Sequence, residues 1–249
     1  MTGTRMARAW LEPPAEVALG AGEVHVWRVA LHQPPATVAA FASLLSNDER
    51  TRAARFYFDR DRSAYVSARG ALRTLAGRYL RRPPAALGFG YQAKGKPYLL
   101  APDGDRLRFN VSHSGEVAVI GFTLDREIGV DVERRRSMSE LASLAHTSFS
   151  PDEYARFCAI PQHDREVAFF LCWSRKEAFI KATGEGVSQL ADFDVSLAPG
   201  DPARLLRVAG EPHGEPRWSL DDLPEIPGYA AALAVAGHGL DVACWAFRA

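Results

Sequence analysis

Hydrophobic and polar positions alternate along Glu23–Ala30 (EVHVWRVA), and strictly along Ile128–Glu133 (IGVDVE), which predicts two strands. Shorter strand patterns fall at Leu107–Val111, Val117–Phe122, Phe193–Leu197, Trp218–Leu220, Ala230–Ala236 and Val242–Phe247. Helical periodicity marks Ser46–Phe56, Asp61–Leu80 (stopped by Pro83-Pro84), Glu140–Phe149, Asp152–Cys158 and a long helix from about Arg165 to Thr183. Lys94-Gly-Lys-Pro97 and Ser112-His-Ser-Gly115 read as turns between strand pieces, and Pro199–Pro216 as a Pro/Gly-rich connection. Each half of the chain thus reads as a strand, then helices, then several strands. That layout predicts an α+β fold of two similar units, residues 1–127 and 128–249, joined just before Ile128.

Two places break the expected patterning. On the long helix, Phe169, Phe170, Trp173 and Ile180 define an apolar arc, yet Glu177 and Lys181 fall in its middle. Charges on a buried stripe need a partner. One reading is an i,i+4 ion pair at the edge of the stripe; the other is a helix face turned toward a polar site. In IGVDVE, Ile128, Val130 and Val132 point one way, while Gly129, Asp131 and Glu133 point the other. Two carboxylates two positions apart on a strand lie roughly 6.6 Å apart at the backbone, close enough to converge on one hard cation such as Mg²⁺. The glycine would leave room beside the ion. A wet acidic strand face is the plainer alternative. If that face meets the long helix, Glu177 becomes a third ligand and Lys181 a phosphate donor, with Gly184 and Gly186 ending the helix.

Asn110-Val-Ser-His-Ser-Gly115 is rich in short polar donors and reads as a phosphate cradle, a polar turn or, without a G-x-S-x-G elbow, a weak Ser/His hydrolase signal. Arg62, Arg69 and Arg73 share one helix face, read either as a solvated stripe or as a polyphosphate site with Arg52, Arg55, Lys94 and Lys96. Thirty basic residues balance thirty acidic ones, so nothing draws the chain globally toward nucleic acid or an anionic membrane. Cys158, Cys172 and Cys244 fit no metal spacing or disulfide framework, and the first residues carry no apolar signal segment. A cytoplasmic protein is the expectation.

Three motifs, FNVSHSG (Phe109–Gly115), IGVDVE (Ile128–Glu133) and WSRKEAFIKATGEG (Trp173–Gly186), stand in the order and spacing of one family. RFYFDRDR, RGALR, KGKPYL, LADFDVSL and PGYAAALA match the same pattern, so the likeness spans most of the chain from about Ser46 to Leu197, with the PGYAAALA strand beyond. The chain resembles the Sfp-type 4′-phosphopantetheinyl transferases. The resemblance implies two α+β subdomains related by a pseudo-twofold, with coenzyme A bound between them. It implies transfer of the phosphopantetheine arm to a serine of an apo acyl- or peptidyl-carrier protein, releasing adenosine 3′,5′-bisphosphate. By motif match, Asp131, Glu133 and Glu177 would hold Mg²⁺ (or Mn²⁺). Arg52, Lys94, Gly95, Lys96, Asn110, Ser112, His113 and Lys181 would contact coenzyme A. Glu177 and Lys181 would serve catalysis, Glu177 as ligand, base or both, in a monomer without nucleic-acid or membrane partners. A coenzyme A-binding protein without catalysis, and a hydrolase using Ser112, are the alternatives.

Overall fold

The computed structural model describes residues 4–100, 106–184, 189–209 and 217–249. One sheet has the strand order β1 (Arg5–Met6), β12 (Asp241–Ala246), β2 (Glu23–Ala30), β6 (Val117–Leu124), β5 (Leu107–Ser114). A second has the order β10 (Trp218–Asp222), β11 (Tyr229–Ala236), β7 (Ile128–Arg134). Two small antiparallel pairs, β3 (Phe89–Tyr91) with β4 (Pro97–Leu99) and β8 (Phe193–Val195) with β9 (Leu205–Val208), sit beside them. The helices are α1 (Pro35–Leu44), α2 (Asn47–Ala53), α3 (Asp59–Leu80), α4 (Leu141–Ser148), α5 (Pro151–Ala159) and α6 (Arg165–Thr183). None among the described residues is long and apolar enough to cross a membrane.

Strand alternation stacks these elements into four layers of an α+β fold. Trp27, Val29, Ile120 and Phe122 point from the first sheet onto α1 and α3, with Leu72 and Leu75 opposite. Val24, Val26, Val119 and Cys244 leave the other face and meet Ile128, Val130, Val132, Leu233 and Val235 of the second sheet. The far face of that sheet, Ala230, Ala232 and Ala234, packs on Phe169, Ala178 and Phe179 of α6. The two sheets are each covered on the outside by one long helix, α3 or α6. β12 pairs in parallel with β2, so the first sheet draws on both ends of the sequence.

The structure adds elements to the sequence reading. α1 starts at Pro35 in the first turn, where a missing N–H costs nothing, but its composition is apolar all round and shows no helical stripe. β9 lies inside the segment read as a connection, whose residues 210–216 fall outside the described residues. β5 runs on through Ser114, so Ser112–Ser114 are extended strand, with the turn beginning only at Gly115, φ 56°.

Arg69 and Arg73, read either as a solvated stripe or as a polyphosphate site, follow neither reading: both are spent on Glu49. Arg73 is fully buried, donates from Nε to Glu49 Oε2 at 2.6 Å and from Nη1 to the Pro84 and Leu87 carbonyls. Arg69 takes the other oxygen of Glu49. Arg62 pairs with Asp59 at 2.5 Å on the surface. Glu49 in turn closes the α2 capping box by accepting from Ser46 N.

His25 is buried in β2 beside Tyr79, whose Oη accepts from Trp27 Nε1 at 2.9 Å and lies 2.9 Å from His25 Nδ1. An indole N–H only donates, so the arrangement that satisfies all three groups gives the Tyr79 proton to Nδ1 and leaves the histidine proton on Nε2. Burial pulls the His25 pKa down to about 4, against a small opposing effect of Glu23. Its folded pKa is thus below the unfolded value. Stability does not depend on His25 above about pH 6.5, falls as the pH drops from there to about 4, and levels off below. The expected loss is about 3 kcal/mol. Urea midpoints at pH 7 and 4.5 should separate less in His25→Gln than in the parent chain; equal separations would refute this account.

Candidate active site

The site lies at the corner where edge strand β5 of the first sheet meets edge strand β7 of the second, under α6. No backbone ladder joins the two edges; side chains at alternate positions of β5 do. Asn110 Oδ1 accepts from Val130 N at 3.0 Å, Ser112 Oγ donates to Asp131 Oδ1 at 2.8 Å, and Ser114 Oγ donates to Glu133 Oε2 at 3.0 Å. Ser114 Oγ also accepts from Arg134 N. The polar run of β5 is therefore the seam between the sheets, which explains why Asn110 and Ser112 are buried.

β7 places its acidic face as its alternation predicts: the valines and Ile128 enter the inter-sheet core, and Gly129, Asp131 and Glu133 face α6. The role of Gly129 differs from the expectation. A Cβ there would collide with the Ala178 carbonyl oxygen and the Ala182 and Lys181 backbone, so the space is taken by the helix itself, not left for an ion. Gly129→Ala forces α6 off β7. It should lower the unfolding free energy by roughly 3 kcal/mol or more, read from a urea transition.

With α6 seated this closely, Lys181 Nζ reaches Asp131 Oδ1 at 2.5 Å and Ser112 Oγ at 2.8 Å. The i,i+4 reading of Glu177 with Lys181 is not what forms; the lysine crosses to the strand. Its side chain keeps 28% exposure, while that of Asp131 keeps 2%. Glu177 and Trp173 are half-buried, next to the sealed Phe169, Phe170 and Ile180. The helix ends at Gly184, φ 76°, whose left-handed cap accounts for one of the two glycines; Gly186 lies outside the described residues.

Electrostatics tie the group together. Burial raises the Glu177 pKa, Lys181 opposes the rise, and the Asp131 and Glu133 charges add to it. Burial and then Asp131 raise Glu133, against Ser114, Lys181 and a hydrogen bond with Trp173. Loss of water lowers His113, and the positive charges of Lys181 and Arg52 lower it further, which places Arg52 within electrostatic reach of the same corner. Arg52 lines a cavity of about 660 Å³ with Thr51, Arg55, Tyr65 and Tyr91, and its guanidinium lies 5.5 Å from the Tyr65 ring centroid.

Lys94 and Gly95 (φ 84°) occupy the exposed tip of the β3–β4 turn. Lys96 turns inward: its Nζ donates to Glu127 Oε2 at 2.8 Å and to the Ala182 carbonyl at 3.0 Å, holding the C-terminal turn of α6. Ser114, Tyr65 and Tyr91 were not singled out from sequence. Only Ser114 carried a signal, as the next alternate position after Asn110 and Ser112.

Among the described residues no cluster of three or more acidic, histidine or cysteine side chains is already gathered in metal-ligand geometry. The donor set nevertheless fits a hard divalent cation. Asp131 Oδ2 is buried and has no hydrogen-bond partner, and the mutual repulsion of Asp131, Glu133 and Glu177 is what such an ion relieves.

The family model described as 4′-phosphopantetheinyl transferase superfamily matches residues 127–234, and the one described as 4′-phosphopantetheinyl transferase, N-terminal matches residues 32–123. The chain is 38% identical over 245 residues to the 4′-phosphopantetheinyl transferase HetI of Nostoc sp., spanning 96% of this chain and 99% of that protein. It is 30% identical over 245 residues to a phosphopantetheinyl transferase of Thraustochytrium sp. (92% and 82%). With 4′-phosphopantetheinyl transferase Sfp of Bacillus subtilis it shares 32% over 158 residues (63% and 68%). The expected resemblance is thus met along nearly the whole chain, across both sheets and the corner between them, and the chain belongs to the 4′-phosphopantetheinyl transferase superfamily, a class of transferase enzymes.

Proposed function

We propose that this chain moves the 4′-phosphopantetheine arm of coenzyme A onto a serine hydroxyl of an apo acyl- or peptidyl-carrier protein, with Mg²⁺, and releases adenosine 3′,5′-bisphosphate. The observation that carries the reading is the buried, unpartnered Oδ2 of Asp131, set among two further carboxylates and one lysine.

Asp131, Glu133 and Glu177 would hold the cation. A Mg²⁺ ion held by these residues would supply charge neutralisation to the pyrophosphate. Lys181 offers its ammonium to the same phosphates, and Arg52, His113 and the Lys94–Lys96 turn supply further donors on the first-sheet side. The acceptor hydroxyl comes from the partner, so the chain needs no nucleophile of its own. Ser112 is unsuited to that role, because its buried Oγ already donates to Asp131 and accepts from Lys181. The serine proton must still leave. Glu133 is occupied by Ser114 and Trp173, whereas no hydrogen bond to the Glu177 carboxylate is found among the described residues. Of the ligand carboxylates Glu177 is thus the one left without a hydrogen bond, so we assign the proton to it, as ligand and base together.

An apo carrier domain incubated with the chain, coenzyme A and Mg²⁺ should gain the mass of one phosphopantetheine. No gain with any of several fatty-acid, polyketide and peptide carriers overturns the reading. A coenzyme A-binding protein without catalysis would bind the nucleotide and still give no mass gain.

A further inference from the structure

Lys181 is the feature the transfer reading leaves unexplained. A phosphate donor needs a free ammonium, yet in the ligand-free chain this one is spent on Asp131 Oδ1 at 2.5 Å and Ser112 Oγ at 2.8 Å. Two oxygens of one carboxylate are thereby treated differently: Oδ1 receives both Ser112 and Lys181, and Oδ2 receives nothing. The helix backbone packs directly on Gly129, so Lys181 Cα sits close to β7. The side chain can leave without moving that backbone, because its 28% exposure gives it an outward path.

We propose that Lys181 is a resident counter-cation, occupying Asp131 until a divalent ion replaces it, and that Ser112 is the latch that positions it there. This rests on reading Asp131, Glu133 and Glu177 as the ion's ligands. The physical consequence is competition. Like charges repel across one buried carboxylate, so a divalent ion that takes Oδ2 without phosphate drives the ammonium off Oδ1 by repulsion. Its apparent affinity is reduced by the fraction of time Asp131 is vacated. A partly exposed pair that is open about one-tenth of the time costs roughly tenfold. Phosphate supplies the displaced ammonium with a new anion, so ion and pyrophosphate favour each other through this one side chain.

The test is direct Mn²⁺ binding to the full chain, with free Mn²⁺ read by electron paramagnetic resonance and no coenzyme A or carrier present. Lys181→Met keeps the length and removes the charge; it should tighten Mn²⁺ binding about tenfold. Ser112→Ala alters no charge, removes one of the two anchors of Lys181, and should tighten binding severalfold. Tightening in both supports the latch. Tightening in Lys181→Met alone reduces Lys181 to a background charge and overturns it, as does unchanged or weaker binding in both. Circular dichroism of each variant establishes that it is folded, and Ser112→Ala serves if Lys181→Met is not. Carrier mass gain by the parent chain is scored separately, so failure of the latch and failure of the transfer reading are distinguishable.

Discussion

Lys176→Met should unfold at a much lower denaturant concentration than the parent chain, with a loss of about 3–5 kcal/mol. Lys176 and Glu153 are both wholly inaccessible, with Nζ 2.6 Å from Oε2. The lysine also donates to the Phe193 carbonyl at 2.7 Å and lies over the Phe193 ring. Glu153 does more than balance a charge. It closes the α5 capping box by accepting from Ser150 N and accepts from Val195 N at 2.7 Å, so α5, α6 and β8 share one carboxylate. Removing the lysine strands that carboxylate in a dry place, where it must take up a proton or drag water in. Because Met fills similar volume, the loss reads charge rather than a cavity. Lys176→Met with Glu153→Gln should recover part of it, since the glutamine amide oxygen still accepts from a backbone N–H. Equal urea midpoints for Lys176→Met and the parent would refute this.

Asp131→Asn should cut phosphopantetheine transfer by roughly 10²- to 10³-fold, the scale of losing one preorganised charged group in a water-poor site. The fold should hold, because the amide Oδ1 can still accept from Ser112 and Lys181, and the far-ultraviolet spectrum should not move. What disappears is the negative charge and the unpartnered acceptor. Initial rates of carrier mass gain, at matched and raised Mg²⁺, check this; a rate within threefold of the parent would remove Asp131 from the site.

Much of this corner is legible in the sequence alone. The strict alternation of IGVDVE assigned Asp131 and Glu133 to the face opposite the core, and the periodicity of the long helix put Glu177 and Lys181 on an inward arc. Both are local patterns, set by the pleat and the helical turn. What could not be read depends on partners distant in the chain. Arg73, Arg175 and Lys176 look like ordinary helix cations. Only folding brings Glu49, Asp222 and Glu153 to them, at 2.6, 2.5 and 2.6 Å. The Ser112–Ser114 stretch reads as a turn because serine and histidine favour turns locally, while its ladder with β6 holds it extended and its serine side chains reach β7. Gly129 was read as space for an ion, although the backbone of a helix some fifty residues later fills it.

The parallel pairing of β12 with β2 carries a consequence for synthesis. β12 lies between β1 and β2, and its Val242 and Cys244 complete the layer between the sheets. Until it emerges from the ribosome, β2 has an open edge and Val24 and Val26 lack part of their cover. Contacts this distant in sequence close slowly. The nascent chain must therefore carry a first sheet of β2, β6 and β5 alone, two strands short because β1 joins it through β12, until about residue 246. A release stalled before Asp241 should leave a chain that has every proposed catalytic residue and is nonetheless sensitive to protease.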